Sequence, residues 1–175
     1  MQADLLKNRA EILDFLCKNN IPHEYYEHEA AMTIEDCLRL PFATEDVMFC
    51  KNIFLCNRQK TNFYLFVMKP STPFRTAVVS KALGVSRLSF APEESLPELL
   101  HLTSGSVSPL ALMYDQEKRI VFGYEKAIRE TEKIAFHPCD NSATVVFRQE
   151  DFWKKALPLL GIEGIEIDLS ALTEE

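Results

Sequence analysis

Three short segments of this chain carry side chains that can do chemistry. The first is Cys50-Lys51-Asn52, where a cation and an amide stand side by side within a run of apolar residues. In a strand, these two side chains point to opposite faces of the sheet. Burying an isolated charge is costly, so Lys51 requires a partner or an anionic ligand. The alternative is an edge lysine whose stem covers apolar surface while its amine reaches water.

The second segment is a loop of small and hydroxyl residues, 102–109, which contains Gly105, Ser106 and Ser108. A loop of this kind can turn backbone N–H groups toward a carbonyl or phosphate oxygen. It contains neither a Walker sequence nor a G-x-S-x-G nucleophile turn. The alternative interpretation is a plain surface loop.

The third segment is Phe136-His137-Pro138, followed by Asn141 and Ser142. A histidine at a strand end, before a proline of fixed φ, is held in place and can orient a water molecule or a sugar hydroxyl. A purely structural histidine is the alternative. The four histidines and five cysteines show no spacing typical of a zinc site, a disulfide framework or a catalytic triad. We therefore expect no metal and no cofactor.

Charge is distributed unevenly along the sequence. Residues 47–92 contain no Asp or Glu but hold seven of the 19 basic residues, so the rest of the chain has 12 basic residues against all 26 acidic ones. This split predicts one face that meets an anion; an ordinary basic edge strand and helix is the alternative. The net charge of −7 argues against general DNA binding. The seven cations are Lys51, Arg58, Lys60, Lys69, Arg75, Lys81 and Arg87.

Helices and strands must alternate to position these groups. Apolar spacing predicts an amphipathic helix over residues 3–19, and Thr33 with Asp36 resembles a capping box that begins a short helix. Residues 47–56 and 62–68 predict a β-hairpin. Further helices are predicted at 75–83, 92–100, 125–131 and 151–160, and further strands at 23–28, 87–90, 110–114, 119–122, 133–137, 143–147 and 165–169.

The chain of 175 residues, 47% hydrophobic and 26% charged, is typical of one globular domain, 1–175. We expect a mixed α+β fold with a largely antiparallel, curved sheet. The sequence shows no leader peptide and no apolar run of the ~20 residues that cross a bilayer. These features predict a cytoplasmic protein that does not bind membranes.

Four motifs occur in a fixed order: C-K-N-I-F-L, K-A-L-G followed by R-L-S-F-A, L-T-S-G-S-V-S-P, and F-H-P-C-D-N-S-A-T-V. Each is weak alone. Together they resemble the YbaK/prolyl-tRNA-synthetase-associated editing domains, above all the free-standing prolyl-tRNA deacylases of the PrdX or ProXp-ala type. The resemblance extends from the first helix to about residue 160. Departures are Ser104, where relatives often have proline, and residues 70–73, where many have a charged turn.

The resemblance implies a compact barrel-like mixed sheet surrounded by helices, and hydrolysis of the ester in mischarged tRNA-Pro. Ala-tRNA-Pro is the expected substrate. The alternatives are Cys-tRNA-Pro or another small aminoacyl-tRNA, a non-catalytic tRNA- or synthetase-binding module, or a domain whose basic stretch binds nothing. The expected partner is tRNA-Pro, through its acceptor stem and 3′ end. A contact with prolyl-tRNA synthetase stays open.

The resemblance also assigns roles to residues. Lys51 would hold the terminal phosphate, the Gly105 loop would polarise the ester carbonyl, and Asn52 with His137 would position a ribose hydroxyl or the attacking water. Residues expected around the substrate are Ile21, Met32, Thr33, Phe49, Ser106, Ser108 and Pro109. Residues expected to bind the tRNA are Arg58, Lys60, Lys69, Arg75 and Lys81.

Overall fold

The computed structural model describes residues 2–170. The chain begins with helix α1 (Gln2–Lys18), which buries Ile12 and Leu16 on one face. No helix in this part of the chain combines the length and the apolar character that crossing a membrane requires. The other helices are α2 (Ile34–Leu38), α3 (Thr76–Ala82), α4 (Ser95–Leu100), α5 (Gln149–Asp151) and α6 (Leu157–Leu159), with a π-helical segment (Phe152–Ala156) joining α5 to α6 and 3-10 helices at Pro109–Tyr114 and Lys126–Arg129.

The strands of the described residues form two sheets. One has four strands in the order β1-β8-β7-β2, and the other has five in the order β5-β3-β4-β6-β9. Their bounds are β1 (Glu24–Glu27), β2 (Val47–Phe49), β3 (Lys51–Cys56), β4 (Phe63–Met68), β5 (Ser89–Phe90), β6 (Ile120–Glu125), β7 (Lys133–Phe136), β8 (Ala143–Arg148) and β9 (Ile165–Ile167).

Both sheets mix parallel and antiparallel pairs. The pairs β2–β7, β4–β6 and β6–β9 are parallel, whereas β1–β8, β7–β8, β3–β4 and β3–β5 are antiparallel. The predicted α+β class with a mixed sheet is therefore confirmed, with the strands divided between two open sheets. The predicted hairpin is also present, and in it Lys51 pairs with Met68 and Cys56 with Phe63.

One residue, Cys50, separates β2 in the first sheet from β3 in the second. The chain therefore passes from one sheet to the other just before Lys51. The strand β5 pairs with β3 only at Leu55 and Cys56. Among residues 2–170, no strand thus lies beside the edge of β3 from Lys51 to Ile53 on the side away from β4, which leaves room for a cavity at the junction of the sheets.

The core holds this junction in place. The largest apolar cluster lies between the sheets and includes Phe54, Phe136 and Phe152. A second cluster packs α3 against the five-stranded sheet through Val79 and Phe66. Each fully buried side chain of this size contributes about 1.5–3 kcal/mol. The start of β3 is therefore anchored from both faces of its sheet.

The predicted strand at 110–114 is wrong. These residues lie in the 3-10 helix Pro109–Tyr114, because the Ser108 side chain caps it by accepting a hydrogen bond from the Leu110 N–H and Pro109 fits the first turn. The expected capping box at Thr33 is confirmed. Thr33 Oγ1 accepts from the Asp36 N–H at 3.2 Å, and Asp36 Oδ2 accepts from the Thr33 N–H at 3.1 Å.

Candidate active site

A cavity of about 310 Å³ opens at the junction of the two sheets, beside the free edge of β3. Four parts of the chain form its walls: the segment that leads into α2, the passage from β2 to β3, the 102–109 loop, and the residue after β7. The lining residues are Ala31, Met32, Thr33, Ile34, Cys37, Cys50, Lys51, Asn52, Ile53, Gly105, Val107 and His137.

Lys51 is half-buried at this wall, and its ammonium group has a hydrogen-bond acceptor. Its Nζ donates to the carbonyl oxygen of Thr72 at 2.6 Å. Its side chain lies on the same face of the sheet as that of Met68, its direct neighbour on β4. The lysine is therefore neither a bare buried charge nor a fully solvated edge residue, since its amine is held at the rim of the cavity.

The side chain of Asn52 projects from the face of the sheet opposite to that of Lys51, and from the same face as Phe54, because side chains alternate along a strand. Its Oδ1 is buried and accepts no hydrogen bond within residues 2–170. A buried acceptor without a donor is costly. An O–H or N–H of a ligand or water in the cavity would supply the donor.

The imidazole of His137 has a defined tautomer. Its Nδ1 lies 2.7 Å from the carbonyl oxygen of Ala143, so Nδ1 carries the proton and donates it. Its Nε2 lies 3.7 Å from the sulfur of Cys37. Burial lowers the pKa of His137 below the usual 6.5, and the neighbouring His28 adds to this effect, although the bond to Ala143 opposes it. At neutral pH the ring is neutral and presents Nε2 as an acceptor.

The two cysteines of the cavity stay protonated at neutral pH. Burial, and to a smaller degree the adjacent Asp36 carboxylate, raise the pKa of Cys37 to about 11. Burial also raises the pKa of Cys50, with a smaller effect from the Glu125 carboxylate. Because the thiolate is the nucleophilic form, neither thiol is activated for covalent chemistry.

The 102–109 loop brings Gly105 and Val107 to the wall of the cavity. Gly105 has φ +89°, and a Cβ atom there would lie 3.4 Å from Met32 Cε and 3.7 Å from Asn141 Nδ2. Within residues 2–170, neither the Gly105 N–H nor the Val107 N–H donates a hydrogen bond, whereas the Ser106 N–H donates to Thr103 O at 3.3 Å. Two free N–H groups beside a cavity are suited to hold a carbonyl oxygen as negative charge develops on it.

Not every residue expected at the site reaches the cavity. Three of these residues are buried within the loop itself: Ser106, Ser108 and Pro109. Ser106 Oγ donates to Thr103 O at 2.9 Å, and the Ser108 side chain caps the 3-10 helix. Their hydroxyls therefore hold the loop that carries Gly105 and do not line the cavity.

Two apolar residues expected to line the cavity also lie elsewhere. Ile21 follows α1 and belongs to the large cluster between the sheets, where it packs among residues such as Leu16. Phe49 is in β2, and its ring packs at 6.0 Å from that of Phe42 on the other face of the four-stranded sheet. Sequence reasoning missed Cys37, although its position four residues after Thr33 in a capped helix places both on one side of that helix.

The expected tRNA-binding cations lie at three places: a pair in the far turn, a pair between β4 and α3, and Lys81 in α3. Arg58 and Lys60 lie in the turn between β3 and β4, about 17 Å from Lys51 along a six-residue strand. Lys69 directly follows β4, and Arg75 precedes α3, so both are near Thr72 and the cavity rim. Lys81 lies in the last turn of α3. The acid-free segment therefore does not form one continuous basic patch around the cavity.

The family model of the aminoacyl-tRNA editing domain matches residues 28–155, which include every wall of the cavity. This chain belongs to the aminoacyl-tRNA editing domain family. The prolyl-tRNA editing protein ProX of Acetoanaerobium sticklandii is 32% identical over 134 residues, covering 77% of this chain and 81% of that protein. The prolyl-tRNA synthetase associated domain-containing protein 1 of Mus musculus is 32% identical over 148 residues. This match covers 82% of this chain and 86% of that protein.

A solved structure shows the same fold. A crystal structure of a proposed trans-editing enzyme for prolyl tRNA synthetase superimposes on this editing domain with a TM-score of 0.69 and 14% sequence identity. The superposition covers 92% of this chain and 96% of the chain in that crystal structure. The two sheets and their surrounding helices are thus the architecture of a known group of domains. No group of three or more His, Cys, Asp or Glu residues within residues 2–170 of this domain is arranged to hold a metal ion.

Proposed function

We propose that this editing domain is a deacylase that hydrolyses mischarged tRNA-Pro, with Ala-tRNA-Pro as its main substrate. The observation that carries the proposal is the meeting of Lys51, Asn52, Gly105 and His137 around one cavity, from three parts of the chain. The similarity to the ProX editing protein supports the choice of prolyl-tRNA. The partner that the proposal requires is the acceptor end of the tRNA.

Each group has a role that its geometry supports. The Lys51 ammonium, at the rim, binds the phosphate of the terminal nucleotide as a point charge. The N–H groups of Gly105 and Val107 stabilise the oxyanion that forms when the ester is attacked. The neutral Nε2 of His137 and the unpartnered Oδ1 of Asn52 accept hydrogen bonds from the ribose hydroxyl or from the attacking water.

No protein nucleophile is required in this scheme. An aminoacyl ester is already activated, and the cysteine thiols at the wall are held in their protonated form by burial. Orientation of water and stabilisation of the oxyanion are the contributions left to the protein. The proton of the attacking water passes toward an acceptor such as His137 Nε2 and then to the leaving ribose oxygen.

The proposed selection of alanine rests on discrimination by size between two sites. A synthetase pocket built for proline gains only ~1–3 kcal/mol per methylene against a smaller side chain, so it misloads alanine at a measurable rate. A second site that admits only small side chains completes the discrimination. The walls next to the catalytic groups include the side chains of Ala31, Met32 and Ile34, which limit the space for an aminoacyl side chain.

The test is a side-by-side deacylation assay with tRNA-Pro charged with alanine, cysteine or proline. We expect Ala-tRNA-Pro to be hydrolysed fastest and Pro-tRNA-Pro to remain at the spontaneous rate. Faster hydrolysis of Cys-tRNA-Pro would change the substrate while keeping the reaction. Binding of all three without hydrolysis would contradict the proposal and indicate a non-catalytic module. Adding prolyl-tRNA synthetase to the same assay measures any contribution of that enzyme.

A further inference from the structure

A buried carboxylate lies close to Lys51 but outside the cavity. Glu125, at the end of β6, has only 5% of its surface exposed. Its Oε2 accepts from the backbone N–H of Lys69 at 2.8 Å, and its Oε1 accepts from the Thr72 hydroxyl at 2.8 Å. Carboxylates are seldom buried unless their hydrogen bonds are satisfied, and both acceptors here hold the same loop.

The sheet places this carboxylate on the same face as the amine. Lys51 pairs with Met68, and the pairing of Val67 with Tyr124 puts Glu125 beside Met68 on the next strand. Lateral neighbours in a sheet project from one face, so the side chains of Lys51 and Glu125 stand on either side of Met68. Their backbones are about 10 Å apart, two strand spacings.

The 69–72 loop bridges that gap. The carbonyl oxygen of Thr72 accepts a hydrogen bond from the Lys51 ammonium at 2.6 Å, and the hydroxyl of Thr72 donates one to Glu125. One residue thus joins the cation to the anion, and Lys69 adds a second bond between the loop and the same carboxylate. A lysine stem has several rotatable bonds, so its amine stays in one place only if the acceptor is itself fixed.

We infer that Glu125 and Thr72 are positioning residues that hold the Lys51 ammonium at the cavity rim, an inference that rests on the proposed deacylase function. Glu125 is not among the residues that line the cavity, and its hydrogen bonds go to the loop.

Substitutions at Thr72 test this relay with little change in shape. Thr72→Val removes the hydroxyl but keeps the volume, whereas Thr72→Ser keeps the hydroxyl. We expect Thr72→Val to lower kcat/KM for the mischarged tRNA about tenfold, the loss of one hydrogen bond to a charged group, and Thr72→Ser to restore most of it. Glu125→Gln should also lower kcat/KM for the mischarged tRNA, as Lys51→Ala does. The matched control is Thr61→Val, in the far hairpin turn.

A double-mutant cycle separates positioning from a merely structural role. If Thr72 acts through Lys51, Thr72→Val has no further effect in a Lys51→Ala background. The inference would be overturned if Thr72→Val lowered kcat/KM by the same factor in the Lys51→Ala background as in wild type. It would also be overturned if a lower Tm accounted for the loss of activity. A Thr72→Val enzyme with wild-type kcat/KM would overturn it as well.

A second readout does not depend on catalysis. In proton–nitrogen NMR spectra, the hydrogen-bonded Lys51 ammonium should give a resolved signal that Thr72→Ser keeps and Thr72→Val loses through fast exchange with water. If the wild-type protein hydrolyses no aminoacyl-tRNA but shows this pattern, the proposed function fails while the relay stands. If hydrolysis is present and the signal is the same in both variants, the relay fails alone.

Discussion

The Nε2 atom of His137 lies 3.7 Å from the sulfur of Cys37, and the pair borders the same cavity as Lys51. A cysteine beside a histidine often indicates a nucleophile and its base. Here burial raises the pKa of Cys37 to about 11, so the thiol remains protonated beside a neutral imidazole. The pair is therefore a protonated thiol that donates a weak hydrogen bond to the neutral Nε2 nitrogen.

We predict that Cys37→Ala retains hydrolysis within about threefold of wild type. With a pKa of about 11, only about 0.03% of this thiol is ionised at pH 7.5. Deacylation rates of the variant measure the effect, with the exposed Cys17→Ala as the control. A loss of a hundredfold or more would show that Cys37 takes part in the chemistry.

Lys51→Ala should lower hydrolysis of mischarged tRNA by about a hundredfold or more while leaving the Tm within a few degrees of wild type. The amine is the cation at the cavity rim, and a charged group that contacts a phosphate typically contributes several kcal/mol. Lys154→Ala, on the exposed side of the C-terminal helix, is the matched control. Full activity of Lys51→Ala would contradict the role given to this residue.

Hydrolysis and stability should both fall in acid because of His137. Its folded-state pKa is lowered below 6.5, so its neutral form stabilises the fold above that pH, and the contribution is lost as the pH falls through the folded pKa. The stability lost between pH 7.5 and pH 5 should be smaller in His137→Gln than in wild type, as measured by urea unfolding. His101→Asn is the control, since Asn tolerates the left-handed backbone found there. Identical pH dependence in wild type and His137→Gln would contradict the assignment.

Gly105→Ala should reduce both stability and hydrolysis. The positive φ of Gly105 costs an alanine about 1–2 kcal/mol, and its Cβ would meet Met32 Cε at the cavity wall. Gly84 provides an unusually close control, because it has φ +71° and nothing within 4 Å of the added atom. We expect Gly84→Ala to lower the Tm by a similar amount while retaining hydrolysis. Equal loss of hydrolysis in both variants would mean that strain alone, and not the loop at the site, is responsible.

Charge reversal should separate the cations between β4 and α3 from those in the far turn. Arg75→Glu, near the rim, should weaken tRNA binding and reduce the slope of log K against log salt by about one. Arg58→Glu, at the far turn, should change the slope much less. Binding isotherms at several salt concentrations measure both. A larger effect at Arg58 would place the acceptor stem along the hairpin.

The sequence predicted the polar centre of the site better than its apolar walls. Lys51 and Asn52 interrupt an apolar run, Gly105 stands among hydroxyl residues, and His137 precedes a proline, so each carries a local signal that the structure then brings together around one cavity. Ile21 and Phe49 are apolar residues among many others. Which cluster an apolar residue joins depends on tertiary packing, which their spacing does not encode.

The sequence also did not predict where the chain passes from one sheet to the other. Residues 47–56 have the pattern of one strand, yet the chain leaves the four-stranded sheet at Phe49 and enters the five-stranded sheet at Lys51. Nothing in the apolar pattern marks Cys50 as the boundary, because both strands beside it are buried. The boundary is set by strand pairing: β7, much later in the chain, pairs with β2 up to Phe49, whereas β4 pairs with β3 from Lys51 onward.

This arrangement has a consequence for newly synthesised protein. Lys51 is synthesised early, but His137, on another wall of the same cavity, is made more than eighty residues later, between strands β7 and β8. A nascent chain therefore carries the amine without its opposite wall. The proposed hydrolysis therefore requires the chain to be synthesised at least as far as His137.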